Sequence, residues 1–382
     1  MCTKWKTYEL GTLLSYEQPT AYIVESTDYN DNYQTPVLTA GKSFIIGYTN
    51  ETSGIYKSLP VIIFDDFTTS SQYVNFPFKV KSSAMKILSP NTELVLPKFI
   101  YYRMQIIQFD HSTHKRYWIQ QYSKIKVKIP PIPEQERIIC KIEELFSKLD
   151  ASVAELQTAK EKLKVYRQAV LKEAFDSVQA NSKRVTIKSV CETIKVGIVI
   201  KPTQYYVEQG GVFAFRNANV RRNYIEDKDW AMISQEGHQK NLKSQVHIGD
   251  VLIARSGVNL GMAATVPQKY DGYNAIDVVI AVPKKEFILS QYLAQYTNSP
   301  YGLEIVRKNQ HGAAQGHLNV KEYGNLPIFL PNIPEQYSLL KKIESRLSVC
   351  DNIEQTIDTS LQQAEALRQS ILKQAFEGAL AT

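Results

Sequence analysis

The chain has little of what would hold a metal, a disulfide framework or a membrane. Four cysteines, Cys2, Cys140, Cys191 and Cys350, are spread over 382 residues. No two stand at C-x-x-C spacing, and no pattern of a disulfide-stapled domain is apparent, so a reducing compartment fits. Histidine is scarce at six. The one H-x-x-H pair, His111 and His114, has no cysteine or third histidine near it to complete a tetrahedral set. No apolar run approaches the roughly 18 residues needed to span a bilayer. The opening residues, MCTKWKTYELGTLL, lack the apolar core and small-residue cleavage site of a signal peptide. The expectation is a cytoplasmic chain with no membrane association and no metal.

Catalytic signatures are equally sparse. Ala40-Gly41-Lys42-Ser43 looks like the tail of a phosphate-binding loop, but the first glycine that loop requires is replaced by Pro36. Asp28-Tyr29-Asn30-Asp31-Asn32 opens like a calcium loop, yet the glycine required at its sixth position is Tyr33. Asn298-Ser299-Pro300-Tyr301 resembles the N-P-P-Y tetrad of adenine methyltransferases, with serine at its second place and no glycine-rich strand-turn to hold a nucleoside. It reads better as a helix end and turn after Tyr292–Tyr296. No Ser/His/Asp set stands out. The expectation is a non-catalytic chain with no cofactor of its own.

What is present is positive charge and tyrosine. The net charge is +7, which favours a polyanionic partner such as nucleic acid, and 23 tyrosines supply amphipathic rings that suit interfaces, base stacking or a β-rich core.

The chain also repeats itself. Ile129–Phe175 aligns without a gap on Leu330–Phe376, 201 residues on, with 17 of 47 positions identical. The matched blocks are I-P-E-Q (Ile132–Gln135, Ile333–Gln336), K-I-E (Lys141–Glu143, Lys342–Glu344) and R-Q-x-x-L-K-x-A-F (Arg167–Phe175, Arg368–Phe376). The period is too long for a solenoid and implies two copies of one large unit.

Each copy predicts a long helix. Pro133 and Pro334 suit a helix start, and Glu134 and Glu335 fall in the first turn, where acid complements the helix dipole. Apolar residues then recur every seven: Ile142, Leu149, Leu156, Leu163, Val170 in the first copy, and Ile343, Cys350, Ile357, Ala364, Ile371 in the second. With neither glycine nor proline over about 40 residues, each helix would reach some 60 Å at 1.5 Å per residue. Two such stripes most simply bury each other as a coiled coil; pairing of each with another protein is the alternative.

Between the helices, the segments 1–128 and 179–328 lack sustained helical periodicity. Short β-like runs stand out at Leu59–Phe64, Lys79–Lys81, Val251–Ala254 and Asp277–Val282, separated by turn formers. The expected fold is α+β, with domains at 1–128 and 179–328 and spacer helices at 129–178 and 329–382. The two heads barely resemble each other in sequence.

The order variable segment, I-P-E-Q helix, variable segment, I-P-E-Q helix resembles the specificity subunits of Type I restriction-modification enzymes over essentially the whole chain. The repeated P-x-I-P-E-Q is the most specific mark, joined by G-D-V-L-I-A-R-S-G at Gly249–Gly257 and F-D-D-F-T-T-S-S at Phe64–Ser71. Tyr337 departs from the charged or polar residue usual after E-Q. The resemblance implies two target-recognition domains, joined by two long antiparallel coiled-coil helices in a pseudo-twofold internal repeat. Each domain would read one part of a bipartite, asymmetric sequence in the major groove of double-stranded DNA. The helices would act as spacer and dock methyltransferase subunits, joined by a translocating restriction subunit. S-adenosylmethionine, ATP and Mg are then expected on those partner subunits. The competing readings are a protein with two β-rich heads on a coiled-coil stalk that binds no DNA, a specificity subunit of a related restriction system that is not Type I, and a fused restriction-modification enzyme. The absent catalytic motifs argue against the last.

Candidate DNA contacts follow from side-chain chemistry. In the first head, the hydroxyls of Thr68, Thr69, Ser70 and Ser71 follow a buried strand and suit phosphates, base edges or a plain polar turn. Lys79, Lys81 and Lys86 could neutralise phosphates, the first two sharing a strand face. His111, His114, Lys115 and Arg116 form a basic loop before the repeat. In the second head, Arg216, Arg221 and Arg222 flank Asn217 and Asn219, a mix that suits guanine and adenine readout or a solvated loop. Arg255 and Ser256 end a strand. Lys308, Gln310, His311, Gln315 and His317 lie in a polar, glycine-rich stretch at the same station in the second half as the His111–Arg116 loop in the first.

Overall fold

The structure is a computed structural model and describes residues 5–39, 43–111, 116–308 and 317–377. Its contacts divide the chain into two units, Met1–Leu156 with Asp358–Thr382, and Gln157–Ile357. The long helices Ile132–Gln179 and Ile333–Phe376 each contribute to both units. Each unit is therefore a head together with part of each long helix.

In the first unit, strand β1 (Lys6–Glu9) pairs antiparallel with β9 (Lys126–Ile129), so the head begins and ends side by side, just before the first long helix. Between them lie β2 (Leu14–Glu17), β3 (Thr35–Leu38), β4 (Ile45–Thr49), β5 (Val61–Asp65), β6 (Ser71–Val74), β7 (Lys79–Val80) and β8 (Met85–Pro90). They form an antiparallel sheet in the order β2-β8-β5-β6 and a smaller sheet β4-β3-β7, in which β3 and β7 run parallel. The central strand β5 is apolar from Val61 to Phe64 because both its faces are covered. Ile62 and Phe64 point to a core shared with Phe99, Ile100, Ile138, Ile142, Ile371 and Leu372. Val61 and Ile63 point the other way, to Phe78, Val80 and Ile87. The period of two that places them so is the pleat itself.

The second unit repeats this plan. Its strands are β10 (Lys183–Thr186), β11 (Cys191–Val196), β12 (Val212–Phe215), β13 (Ala231–Ile233), β14 (Val251–Ala254), β15 (Ala263–Thr265), β16 (Asn274–Ala275), β17 (Val278–Pro283) and β18 (Pro327–Leu330). β10 pairs with β18, the larger sheet runs β11-β17-β14-β15, and the smaller runs β13-β12-β16 with β12 and β16 parallel. Strand for strand this is the order of the first unit, although the head sequences barely resemble each other. The N-S-P-Y stretch is what its turn chemistry suggests: the helix Ser290–Asn298 ends there, and the buried Asn298 side chain bonds both the N–H and the carbonyl of Ala263.

Within each unit the long-helix segments pack antiparallel, and the seven-residue ladder is the buried seam. Ile142, Leu163, Val170, Ile343, Cys350, Ile357 and Ile371 are all buried. Ion pairs flank the seam, Arg368 to Asp150 in the first unit, and Arg167 to Asp351 (2.7 Å) and Arg346 to Glu173 (2.7 Å) in the second. The start of the second helix carries a reciprocal cap, in which Glu335 N–H donates to Asn332 Oδ1 and Asn332 N–H to Glu335 Oε2, both at 3.0 Å. In the first copy Pro131 stands at that place, and Glu134 instead accepts from Trp5 Nε1 at 3.0 Å.

Candidate nucleic-acid interface

In the second unit three chain segments leave the sheets at one end and tie themselves together. β12 is followed by Arg216–Asn219, β14 by Arg255–Ser256–Gly257, and β16 by Ile276 and Asp277. Asn217 is the knot. Its Nδ2 donates to Ser256 Oγ (2.8 Å) and Asp277 Oδ2 (3.3 Å), and its Oδ1 accepts the Arg255 N–H (2.7 Å). Its carbonyl accepts from Asn259 Nδ2 (2.9 Å). Ser256 Oγ also donates to Asp277 Oδ2 (3.3 Å), and Arg255 Nη1 lies 3.3 Å from Asp277 Oδ1. The Arg255 carbonyl accepts the N–H of Leu318 (3.0 Å), which brings the exposed His317 to the same place.

Beyond this knot the chain turns outward. Gly257 takes φ +72°, a conformation glycine adopts without penalty, and the next residue, Val258, is 97% exposed. On the neighbouring strand exit, Gly197 passes so close to Ala275 that a Cβ would stand 2.2 Å from its carbonyl oxygen. The chain then runs to Ile200, 76% exposed.

The structure thus gathers Arg216, Asn217, Arg255, Ser256 and His317, and it corrects the roles given to the asparagines. Asn219 is fully buried, its amide spent on Arg216 N–H and on the carbonyls of Glu226 and Lys228. Asn217 has both amide ends engaged within the loops. Neither has an amide edge left for adenine. Arg216 donates through Nη2 to the Asp229 carbonyl, and Arg221 pairs with Glu226 at 3.6 Å. Arg222 is exposed and lines a cavity of about 620 Å³ with Gln168, Asn223 and Asn298 beside the first long helix. Lys308 ends the helix Pro300–Lys308, and its side chain lies outside the described residues, as do Gln310, His311 and Gln315.

The first unit has its own version of this end. Asp65 Oδ1 accepts the N–H groups of Phe67 (2.8 Å) and Thr68 (3.0 Å), forming the turn between β5 and β6. Thr69 sits at φ 57°, and His111 Nε2 bonds both Thr69 Oγ1 and the Thr68 carbonyl at 2.9 Å. Thr68, Thr69, Ser70 and His111 are therefore assembled into one surface, with the exposed Arg116 two residues before the buried Trp118. Ser71 is buried and accepts from Gln105 Nε2 at 2.8 Å. His114 and Lys115 lie outside the described residues.

Two lysines depart from their expected role. Lys79 is buried, its ammonium on Glu51 (2.7 Å) and the Ser53 carbonyl (2.8 Å). Lys86 is buried too, 3.5 Å from Asp66 and over the ring of Tyr16. Their charges are compensated inside the fold and leave nothing for phosphate. The shared-face expectation fails because β7 is only two residues long and ends at Val80; Lys81 lies past its end and is exposed. Lys81 alone of the three is open to solvent.

The two ends correspond. Asp66 follows β5 as Arg255 follows β14, and the Asp66 carbonyl accepts the N–H of Tyr117 (2.9 Å) as the Arg255 carbonyl accepts that of Leu318. The residues that sequence reasoning missed are the acids of these ends, Asp66 and Asp277. Asp66 stands two residues before Thr68 and could have been found beside it, whereas Asp277 is 21 residues from Ser256 and only the fold brings the two together. Among the described residues no three His, Cys, Asp or Glu side chains converge on a metal position, and no helix is long and apolar enough to cross a membrane.

Known proteins resemble the chain throughout its length. It is 32% identical over 373 residues to the Type I restriction enzyme EcoR124I/EcoR124II specificity subunit of Escherichia coli, spanning 94% of this chain and 90% of that one. It is 24% identical over 275 residues to the EcoKI specificity subunit of Escherichia coli K12, spanning 68% of this chain and 58% of that one. A chain from a structure described as the basis of complex assembly and conformational transition of the type I R-M system superposes with a TM-score of 0.70, at 18% identity, over 98% of this chain and 97% of that chain. That likeness shows a shared fold. No protein-family profile matches.

Proposed function

This chain belongs to the Type I restriction enzyme specificity subunits, and from that membership we propose that each of its units reads one part of a bipartite, asymmetric DNA target. It is a DNA-recognition subunit and not itself catalytic. Membership sets aside the reading as a stalked protein that binds no DNA and the reading as a subunit of a different restriction system.

The observation that carries the proposal is the pairing of sameness with difference. The two heads share every strand pairing, yet present different side chains at the corresponding end of each: Thr68, Thr69, Ser70 and His111 in one, Arg216, Arg255, Ser256 and His317 in the other. One fold carrying two reading surfaces suits two different half-sites, as half-site recognition in dimeric repressors requires one reader for each half. Lys81, Arg116 and Arg222, all exposed, are the cations we assign to phosphates.

We assign methyltransferase subunits and a restriction and translocation subunit as partners, with the long helices as the docking and spacing element. S-adenosylmethionine, ATP and Mg belong to those partners, and the complex works in the cytoplasm, where the DNA is. The test replaces residues 1–128 with the corresponding segment of another specificity subunit and reads the methylated motif in cells that also make the methyltransferase. One half of the motif should change while the other stays. If both halves change, or neither does, the modular reading is wrong.

A further inference from the structure

Asp277 has no part in the reading proposed above, and its surroundings are unusual. Its carboxylate is reached from three sides, by Asn217 Nδ2, Ser256 Oγ and the guanidinium of Arg255. Its backbone sits at φ 52°, a region non-glycine residues seldom occupy, though aspartate enters it more readily than most. Such a residue is retained where the surrounding structure demands it, commonly at a functional site. The pair it forms with Arg255 is partly open, with side-chain exposures of 35% and 18%, and the Nε of Arg255 finds no acceptor among the described residues.

The first unit shows what a purely structural pair at this place looks like. There the charges are exchanged: the acid, Asp66, follows the strand, and the lysine, Lys86, stands on the neighbouring strand β8. Both side chains are shut away, at 1% and 3% exposure. The Arg255–Asp277 pair starts from the same strand end, but its acid stands just before β17, two residues ahead of the counterpart of Lys86, and the pair is partly open.

We propose that Asp277 is a positioning residue that orients Arg255 to read a guanine in the half-site of the second unit, an inference that rests on this unit binding DNA. Arginine recognises guanine by presenting two donors in a fixed plane to O6 and N7. A long, flexible side chain gains selectivity when a neighbour fixes that plane in advance. Pairing with a carboxylate also cancels the charge that would reward indiscriminate phosphate contact. An arginine so held is poor at neutralising backbone and suited to choosing a base.

The test uses the full chain with its modification subunits and a duplex pool randomised in sequence, selected by binding and then sequenced. The variants are Arg255→Ala, Asp277→Asn and Asp277→Gly. Both replacements tolerate this φ; Asp277→Asn keeps a side-chain oxygen for Asn217 and Ser256 while Asp277→Gly removes it, so the two together separate loss of the guanidinium's anchor from loss of the loop's bonds. The wild type should fix one guanine that all three variants relax by about tenfold or more. Every other position of both half-sites should hold, and so should the unfolding midpoint. If Arg255→Ala leaves the motif unchanged, the DNA-contact reading beneath the proposal falls. If Arg255→Ala relaxes a position other than guanine, the assigned base is wrong. If Arg255→Ala relaxes the guanine while both Asp277 variants keep it sharp, the positioning role alone falls. Blurring of the whole half-site by both Asp277 variants would make Asp277 a loop brace and overturn the proposal equally.

Discussion

Gln336 Oε1 accepts the backbone N–H of Leu289 at 2.9 Å, and the same amide donates from Nε2 to the carbonyls of Phe287 (2.8 Å) and Pro331 (2.9 Å). Gln135 repeats the arrangement 201 residues earlier, accepting from Leu96 (2.8 Å) and donating to Leu94 (3.0 Å) and Pro130 (2.9 Å). Both side chains are fully buried. The last letter of the I-P-E-Q repeat is thus the bolt that fastens each long helix to its head. Only an amide offers an acceptor and two donors at this reach.

Removing the bolt should therefore cost more than an ordinary polar substitution. Gln336→Leu leaves one N–H and two carbonyls without their partner, and we expect a loss of about 3 kcal/mol in urea unfolding. Gln336→Glu keeps the acceptor and turns a carboxylate toward two carbonyl oxygens, which raises its folded pKa above the unfolded value. Its destabilisation should grow as pH rises from acid to neutral. A Gln336→Leu chain as stable as wild type would remove the bolt from this account.

Lys86 makes the opposite prediction to the one its charge suggests. Removing one partner of a buried ion pair strands the other, so Lys86→Met should destabilise the first unit by roughly 3–5 kcal/mol. The methylated motif read in surviving complexes should not change. A relaxed motif with wild-type stability would return Lys86 to the DNA surface.

Salt dependence separates Lys79 from Lys81. If Lys81 neutralises one phosphate, Lys81→Ala should lower the slope of log affinity against log salt by about 0.9. Lys79→Ala should leave the slope alone and lower stability, because it strands Glu51 and the Ser53 carbonyl. The slope is read by titrating salt in a duplex-binding assay with the full complex.

Alkali should unfold the second unit through its tyrosines. Burial pushes the phenols of Tyr292, Tyr296 and Tyr323 well up, and Tyr301 rises to about 12 through its bond to Asp176 and through burial. Folded values above the unfolded one mean that stability is intact below about pH 10. It is lost above that, where the unfolded chain sheds protons that the fold retains, at up to about 1.4 kcal/mol per pH unit for each tyrosine. Tyrosinate absorbance should appear in step with loss of helical signal, and Tyr323→Phe should make the transition shallower. Gradual ionisation well before unfolding would show that these phenols are reached by solvent in the native state.

The repeat, the two helices and their buried seam were legible in the sequence because each is a local, periodic property. A stripe every seven residues can be buried in only one way, and Ile142, Val170, Ile343 and Cys350 lie where that stripe puts them. Family membership rested on the same blocks. That the two heads share one strand order was not legible. A sheet asks only for apolar residues at alternating positions, and many unrelated sequences meet that demand. The fate of individual polar side chains was the least legible of all. Lys79 and Lys81 are two residues apart and look alike in sequence, yet one is sealed against Glu51 and the other faces water, because a strand stops between them. Asn217 and Asn219 carry amides of the kind that read bases, but the fold brings Arg216, Ser256, Asp277 and the Glu226 and Lys228 carbonyls around them. Composition determines which groups can bond. Only the tertiary structure decides which of them already have.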